Sequence, residues 1–194
     1  MLRYLRPAVV MMCLFTLVFG FAYPFAITGM AAVAFPRQAG GSLVKNGSTV
    51  VGSSLIAQGF VKPQYLHPRL SAAGKGWDPM ASGGSNLGPL DKSLKDRIAA
   101  SAADLRKENP GAAIPADAVT TSGSGLDPDV SPQNAGLQAA RIAAARGVTV
   151  AMIQALIDGQ TRGSALGFIG QPHVNVFLVN RALDARYPMA QRGG

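Results

Sequence analysis

The sequence contains very little cysteine and histidine. Cys13 is the only cysteine, so a disulfide within the chain and a cysteine-based metal site are both excluded. His67 and His173 are the only histidines, and neither has a neighbouring ligand at the spacing typical of a metal site. No metal site is therefore predicted, and the folded part of the chain must be stabilised by packing or by docking on another protein.

Sequence motifs of catalysis are also missing. The phosphate-binding pattern Gly-x-x-x-x-Gly-Lys-Ser/Thr and the nucleophile pattern Gly-x-Ser-x-Gly do not occur. Ser42 and Lys45 match Ser-x-x-Lys, but they lie in a predicted strand without the companion motifs. Asp127 and Asp129 form a candidate acidic pair, although Asp before Pro is typical of a turn. We predict no catalytic residue and no enzymatic activity of the chain by itself.

Acidic residues are absent from the first third of the chain. The first one in the sequence is Asp78. The formal net charge of +8 comes from 18 basic and 10 acidic residues. A basic balance favours nucleic acid or anionic lipid as a partner. Because no cluster of Lys and Arg alternates with aromatic residues, nucleic acid is not predicted. Lipid headgroups or an acidic partner fit the charge better.

The stretch from Pro7 to Phe35 contains no Asp, Glu, Lys, Arg or His residue and is bounded by Arg6 and Arg37. At about 1.5 Å per residue, a helix of this length exceeds the roughly 30 Å hydrocarbon core of a bilayer. We interpret it as a transmembrane helix that Pro24 and Gly29 kink or end. A cleaved signal peptide with a site at Ala32-Val33-Ala34 is the alternative, but its apolar core would span only about 7–15 residues.

Charges flanking the helix indicate its orientation. Arg3 and Arg6 precede it, and Arg37 and Lys45 follow it, which slightly favours a cytoplasmic N-terminus. We therefore predict a cytoplasmic tail at residues 1–6, a single span at 7–35 and an extracytoplasmic domain at 36–194.

The domain after the span is predicted to be α+β, because strands come first and helices later, without repeated βαβ units. Asn46-Gly47 predicts a hairpin, and Ser54 to Gln58 a further strand. Residues 60–89 are predicted to be irregular. Apolar spacing predicts helices over 90–109, 131–146 and 149–159, and their predicted caps are Asp91 or Ser93, Ser131 and Thr149. Val174 to Val179 is typical of a buried strand, followed by a turn or short helix over 182–187.

Two glycine-rich loops share a pattern of Gly, Ser, Leu and Pro: the first glycine loop, residues 82–89, and the second glycine loop, residues 122–128. They are either turns that precede helices or polar loops presenting hydroxyl, carbonyl and N–H groups on one surface. Such oxygen atoms suit the approach of a potassium ion. The candidate residues for a partner or ion entrance are Ser82, Gly83, Gly84, Ser85, Asn86, Leu87, Ser122, Gly123, Ser124, Gly125, Leu126 and Asp127. Candidate docking residues in the irregular segment are Tyr65, Arg69 and Trp77.

Landmarks along nearly the whole chain occur together in one order. They are Ala22-Tyr23-Pro24, Thr28-Gly29, Ser53 to Phe60, Ser82 to Pro89, Ser122 to Pro128, Ser131-Pro132, Gln138, Arg141, Ala145-Arg146, Val174-Asn175-Val176 and Asn180 to Asp184. With these landmarks the sequence resembles the C subunit of Kdp-type potassium-transporting P-type ATPases. One departure is Arg69-Leu70-Ser71-Ala72, where the family usually has Arg-Pro-Ser-Ala.

The resemblance implies an accessory subunit of a bacterial inner-membrane complex that imports potassium with ATP. Its partners would be a potassium-selective channel-like subunit, a P-type ATPase subunit and a small single-span subunit. ATP and potassium would be handled by the complex, with no cofactor bound by this chain. The small residues Gly20, Ala22, Ala26 and Gly29 would let the span approach partner helices closely in lipid, and Pro24 is a further candidate packing residue of the span.

Three functions stay open at this point. The subunit assembles and stabilises the pump, with its outer domain capping the potassium entrance. Alternatively, it is a catalytic chaperone that raises the ATP affinity of the pump subunit through a transient ternary complex. In the third, it is a free, membrane-anchored protein that binds a small ligand. Loops outside the cytoplasm cannot touch ATP, so we prefer the first function.

Overall fold

The computed structural model describes residues 2–189, which form two compact units divided between Ser53 and Ser54. Met1, in the predicted tail, and residues 190–194, at the end of the predicted outer domain, lie outside the described residues. The assignment of 1–6 and 36–194 to opposite sides of a membrane stays a prediction.

The first unit begins with a continuous helix over Arg3–Ala34 that is long and apolar enough to cross a membrane, as the sequence predicted. It starts earlier than the predicted Pro7, because Leu2 to Arg6 already have helical geometry. Pro24 has no N–H to donate to the preceding turn, and the turn before it widens into a π-helix. The segments of this unit are α1 (Leu2–Phe15), the π-helix (Thr16–Ala22), α2 (Tyr23–Ala34), α3 (Pro36–Ala39), β1 (Leu43–Asn46) and β2 (Thr49–Ser53).

The predicted hairpin around Asn46-Gly47 is confirmed. Asn46 pairs with Thr49 in the antiparallel ladder, and Gly47 has φ +60, which the tight turn requires. The predicted continuation of the sheet over Ser54 to Gln58 is wrong. The Ala57 N–H instead donates to the Leu126 carbonyl at 2.9 Å, because this segment packs into the second unit and not onto the hairpin.

The second unit combines helices with a small antiparallel sheet of strand order β3-β5-β4. This mixed architecture, following one apolar N-terminal helix, confirms the predicted α+β class. The core side chains exposed by 1% or less include Leu66, Ile142, Ile153, Ile157, Val174, Val176, Val179 and Leu183. The elements of this unit are α4 (Lys92–Glu108), α5 (Ala116–Val119), β3 (Asp129–Val130), α6 (Pro132–Leu137), α7 (Ala139–Arg146), α8 (Val150–Gln160), β4 (Thr161–Arg162), β5 (His173–Asn175) and α9 (Val176–Arg186).

Helix starts in the second unit follow the capping residues of the sequence. The side chain of Asp91 accepts from the Ser93 N–H at 2.8 Å, and Ser131 and Thr149 cap α6 and α8 in the same way. Gly147 ends α7 with φ +67. The helix predicted over 131–146 is divided at Gln138, where the Gln138 N–H donates to the Ala135 carbonyl, three residues back, at 3.2 Å and so tightens the turn between α6 and α7.

The buried strand predicted over Val174 to Val179 is wrong beyond Asn175. There β5 ends, and the Asn175 side chain accepts from the Leu178 N–H at 3.1 Å, which starts α9. Apart from Asn175 the run is apolar, because the strand and the first turn of the helix both face the core. Its β-branched residues favour a strand, and tertiary packing overrides that preference.

Candidate functional site

The two glycine loops lie directly against each other. The Ser82 hydroxyl and the Gly83 N–H both donate to the Ser124 carbonyl at 2.9 Å. A Cβ on Gly84 would lie 2.8 Å from the Gly123 carbonyl oxygen, which no side chain tolerates. The loops thus approach backbone to backbone, and only glycine allows this contact.

Gly125 occupies the tightest position in this contact. Its φ is +67, and a Cβ would lie 2.7 Å from the Ala73 nitrogen and 2.7 Å from the Gly83 oxygen. The Ser71 hydroxyl donates to the Gly125 carbonyl at 2.7 Å, so the segment before the first loop also holds the second loop. Gly84 of the first glycine loop and Gly125 of the second therefore serve one packed contact.

The remaining loop residues divide between the contact and the surface. Ser82, Asn86, Gly123 and Ser124 are exposed, whereas Ser122 and Gly125 are buried. Asn86 adopts φ +52, a left-handed conformation that Asn tolerates better than most residues. The residues of intermediate exposure are Gly83, Gly84, Ser85, Leu87, Leu126 and Asp127.

Arg69 and Trp77, two predicted docking residues, brace the second loop. An Arg69 Nη donates to Asp127 Oδ2 at 3.1 Å, and the other donates to the Thr121 carbonyl at 3.2 Å. The Trp77 indole N–H donates to the Arg69 carbonyl at 3.2 Å, and the Trp77 backbone N–H donates to the Ser71 hydroxyl at 2.9 Å. The Arg69–Asp127 ion pair is partly exposed, so it contributes little to the free energy of unfolding. Its main effect is to hold the second glycine loop in place.

Tyr65, the third predicted docking residue, lies in a different cluster. Its hydroxyl donates to Asp184 at 3.1 Å, and the Arg146 guanidinium lies over its ring, 5.2 Å from the centroid. Burial, followed by the neighbouring Asp184 carboxylate, raises the pKa of Tyr65 above its ordinary value. The Arg146 side chain is fully buried and donates to Gln64, Tyr187 and Asp184. The structure does not bring Tyr65 together with the glycine loops.

The irregular segment before the loops is held by two side-chain amides, Asn180 and Gln138, which we call the amide clamp. Asn180 accepts from the Leu66 N–H at 2.7 Å and donates to the Leu66 carbonyl at 2.9 Å. Gln138 accepts from the His67 N–H at 2.8 Å and donates to the His67 carbonyl at 3.2 Å. Each amide thus pairs with one residue's backbone as a neighbouring strand would.

Gln138, Arg141 and Asn180 are among the family landmarks in the sequence, but the sequence does not indicate what they do. Arg141 completes the arrangement, since it donates to the Pro63 carbonyl at 2.6 Å and to the Tyr65 carbonyl at 3.1 Å. The sequence does carry one signal of a buried amide, which is a polar residue at a position where the helix is otherwise apolar. Asn180, a buried residue of α9, is such a residue.

Acidification is expected to destabilise the second unit through His67. Burial, followed by the nearby Arg141 charge, lowers the pKa of His67 from its ordinary 6.5, while its ring contacts the Lys62 carbonyl at 3.0 Å. The unfolded chain therefore takes up the proton first, and stability falls as pH drops below about 6.5, by at most about 1.4 kcal/mol per pH unit for one group.

Urea unfolding followed by fluorescence of Trp77, the only tryptophan, measures this effect between pH 7.5 and 5.5. His67→Gln should flatten the pH dependence in that range. An unchanged pH dependence in the variant would contradict the assignment to His67.

Gly20, Pro24 and Gly29 lie in the predicted span. A Cβ on Gly29 would meet no atom within 4 Å, and one on Gly20 would meet only Thr16 at 3.7 Å. These glycines are not needed for packing within the described part of the first unit, so close approach of a partner helix stays their predicted role. Among residues 2–189, no three His, Cys, Asp or Glu side chains converge on a possible metal position.

Comparison with known proteins identifies the family. The family model described as K+-transporting ATPase, c chain, matches residues 5–185. A potassium-transporting ATPase KdpC subunit from Caulobacter sp. (strain K31) is 63% identical over 196 residues and covers 100% of both chains. The protein of the same name from Caulobacter vibrioides (strain NA1000 / CB15N) is 62% identical, over 97% of this chain and 96% of its own length. The one from Rhodospirillum rubrum is 50% identical, over 98% of this chain and 100% of its own length. The resemblance in the sequence is confirmed: this chain belongs to the KdpC family, the c chain of K+-transporting ATPases.

Proposed function

We propose that this chain assembles and stabilises the channel-like and ATP-hydrolysing subunits of a potassium import pump, and that its second unit caps the potassium entrance. Family membership makes it an accessory subunit of the potassium pump. The small single-span subunit is a further partner in this proposal. The membrane would be the bacterial inner membrane, crossed once, with the N-terminus in the cytoplasm.

The observation that carries the proposal is the backbone contact between the two glycine loops. It holds the exposed Ser82, Asn86, Gly123 and Ser124 on two loops whose relative position is set by several hydrogen bonds. A surface that is already ordered loses little conformational entropy when a partner docks. Hydroxyl and carbonyl oxygens on that surface also suit a path along which potassium approaches.

The same contact argues against reading the first glycine loop as a nucleotide-binding loop. The Gly83 N–H, which a phosphate would need, already donates to the Ser124 carbonyl. Gly84 lies against Gly123, so a phosphate cannot approach from that side without separating the loops. The loop contact therefore favours docking and entrance capping over the catalytic-chaperone function. Labelling at position 82 distinguishes these two functions.

Labelling of a cysteine at position 82 with a membrane-impermeant maleimide tests orientation and docking together. Cys13→Ser removes the native thiol, and Ser82→Cys then provides the only one. We expect labelling from outside the inner membrane when the chain is expressed alone, and strong protection when the other pump subunits are co-expressed. Lys107→Cys, on the exposed side of α4, should be labelled from outside in both cases.

The control for the opposite side is Arg3→Cys, which should react only after the inner membrane is permeabilised. If Ser82→Cys reacts only after permeabilisation, the loops face the nucleotide, and the chaperone function replaces ours. If the thiol stays equally reactive with and without the other subunits, this loop is not a docking surface.

A further inference from the structure

Between β4 and β5 the chain forms a small closed loop, residues 164–170, which we call the apolar tip. The Ala165 N–H donates to the Ile169 carbonyl at 2.8 Å, and the Ile169 N–H donates to the Ala165 carbonyl at 2.9 Å. The Ser164 hydroxyl donates to the Gly170 carbonyl at 3.0 Å. These bonds satisfy backbone groups within the loop and give it a defined shape.

The apolar tip exposes large hydrophobic side chains to solvent. Leu166 is 82% exposed, Phe168 is 78% exposed and Ile169 is 52% exposed. Leu166 also has φ +53, a conformation that costs a non-glycine residue energy. Single exposed hydrophobic residues are ordinary, but three on one ordered protrusion indicate a binding surface.

Residues 159–172, which carry the apolar tip, contain no acidic residue that would repel lipid phosphates. Arg162 is the only ionisable residue between Gly159 and Pro172, and it is exposed at the end of β4, two residues before Ser164. Apolar side chains with a neighbouring cation are the combination that enters the boundary between acyl chains and phosphate groups. A protein partner would instead be expected to meet a mixed, polar rim.

The size of the apolar tip also favours lipid over a protein. A stable protein interface buries about 800 Å² per partner, whereas a large aromatic side chain buries about 150–250 Å². Leu166, Phe168 and Ile169 therefore fall short of a protein interface by themselves, even if each buried as much area as an aromatic side chain. A bilayer is available because the same chain carries a helix able to span it, which raises the effective concentration of lipid at the tip.

We propose that the apolar tip inserts into the interfacial layer of the membrane, with Phe168 and Ile169 at the acyl-chain boundary and Arg162 near the lipid phosphates. The tip then acts as a second, weaker membrane contact of the chain beside its span. It limits the motion of the second unit relative to the bilayer.

Spin labelling measures this insertion directly. In the Cys13→Ser background, Phe168→Cys is labelled, and the full chain is reconstituted in vesicles of phosphatidylethanolamine and phosphatidylglycerol. We expect the ratio of collisions with oxygen to collisions with a water-soluble nickel complex to be several-fold higher at position 168 than at position 90. Leu90→Cys is the matched control, because Leu90 is equally apolar and 86% exposed. A label on Ile169→Cys should give a similarly high ratio. Agreement between the two positions shows that the result does not come from a local effect of one substitution.

Equal nickel accessibility at positions 168 and 90 would place the apolar tip in water and overturn the proposal. A label at 168 that is shielded from both reagents only after the other pump subunits are added would also overturn it, since the tip would then contact a protein. These outcomes leave the cysteine test at Ser82 unaffected, so the two proposals fail separately.

Discussion

Asn180→Leu is expected to lower the free energy of unfolding of the second unit by roughly 2–5 kcal/mol, one of the two largest effects predicted here. Asn180 is 1% exposed, and its amide is bonded to both the N–H and the carbonyl of the fully buried Leu66. Leucine has a similar size but forms neither bond. Two buried backbone groups are then left unsatisfied, at about 1–3 kcal/mol each.

The measurement is urea unfolding of the full chain in detergent, followed by Trp77 fluorescence, which reports on the second unit alone because no other tryptophan exists. Gln133→Leu is the control, because Gln133 is an exposed amide in α6 and its loss should change stability by about 0.5 kcal/mol or less. If both variants were equally stable, the amide clamp would not hold the segment that leads to the glycine loops.

Gly125→Ala is expected to destabilise the contact between the glycine loops through two separate effects. A left-handed conformation costs an alanine about 1–2 kcal/mol, and the new Cβ would also collide with backbone atoms of Ala73 and Gly83. Backbone atoms cannot rotate away as a side chain can, so the loops must separate. Overpacking of this kind adds about 1–3 kcal/mol.

Gly147→Ala separates these two effects. Gly147 has the same φ of +67 as Gly125, but a Cβ there would meet no atom within 4 Å. The difference in unfolding free energy between the two variants therefore isolates the loop contact. We also expect Gly125→Ala, and not Gly147→Ala, to reduce protection of Ser82→Cys by the pump subunits. Equal destabilisation by both variants would contradict the close approach of the loops.

Several features follow from the sequence because local chemistry decides them. The long uncharged run, the Asn46-Gly47 turn, and the caps Ser131 and Thr149 were predicted and are confirmed, and of the two alternatives at the start of α4, Asp91 and not Ser93 is the cap. In each case the residues that determine the structure lie within a few positions of it. The family could be recognised for a related reason, since its landmarks are short local patterns.

Errors occurred where distant residues decide the conformation. Val174 to Val179 has the composition of a strand, but packing of α9 against the core makes the run helical from Val176 onward. Ser54 to Gln58 bonds to the second glycine loop instead of continuing the hairpin. The apolar tip was not singled out at all, because a short apolar run in sequence does not reveal whether its side chains are buried.

The sequence by itself determined that this chain has one apolar helix long enough to span a membrane, a mixed α+β fold and membership of a potassium-pump family, since these depend on local composition and order. Only the tertiary structure decided that the two glycine loops touch, because the Gly84–Gly123 approach joins residues far apart in the chain. The tertiary structure also decided that Asn180 and Gln138 hold the segment around Leu66 and His67, because folding is what brings these distant backbone groups within hydrogen-bonding distance of the two amides.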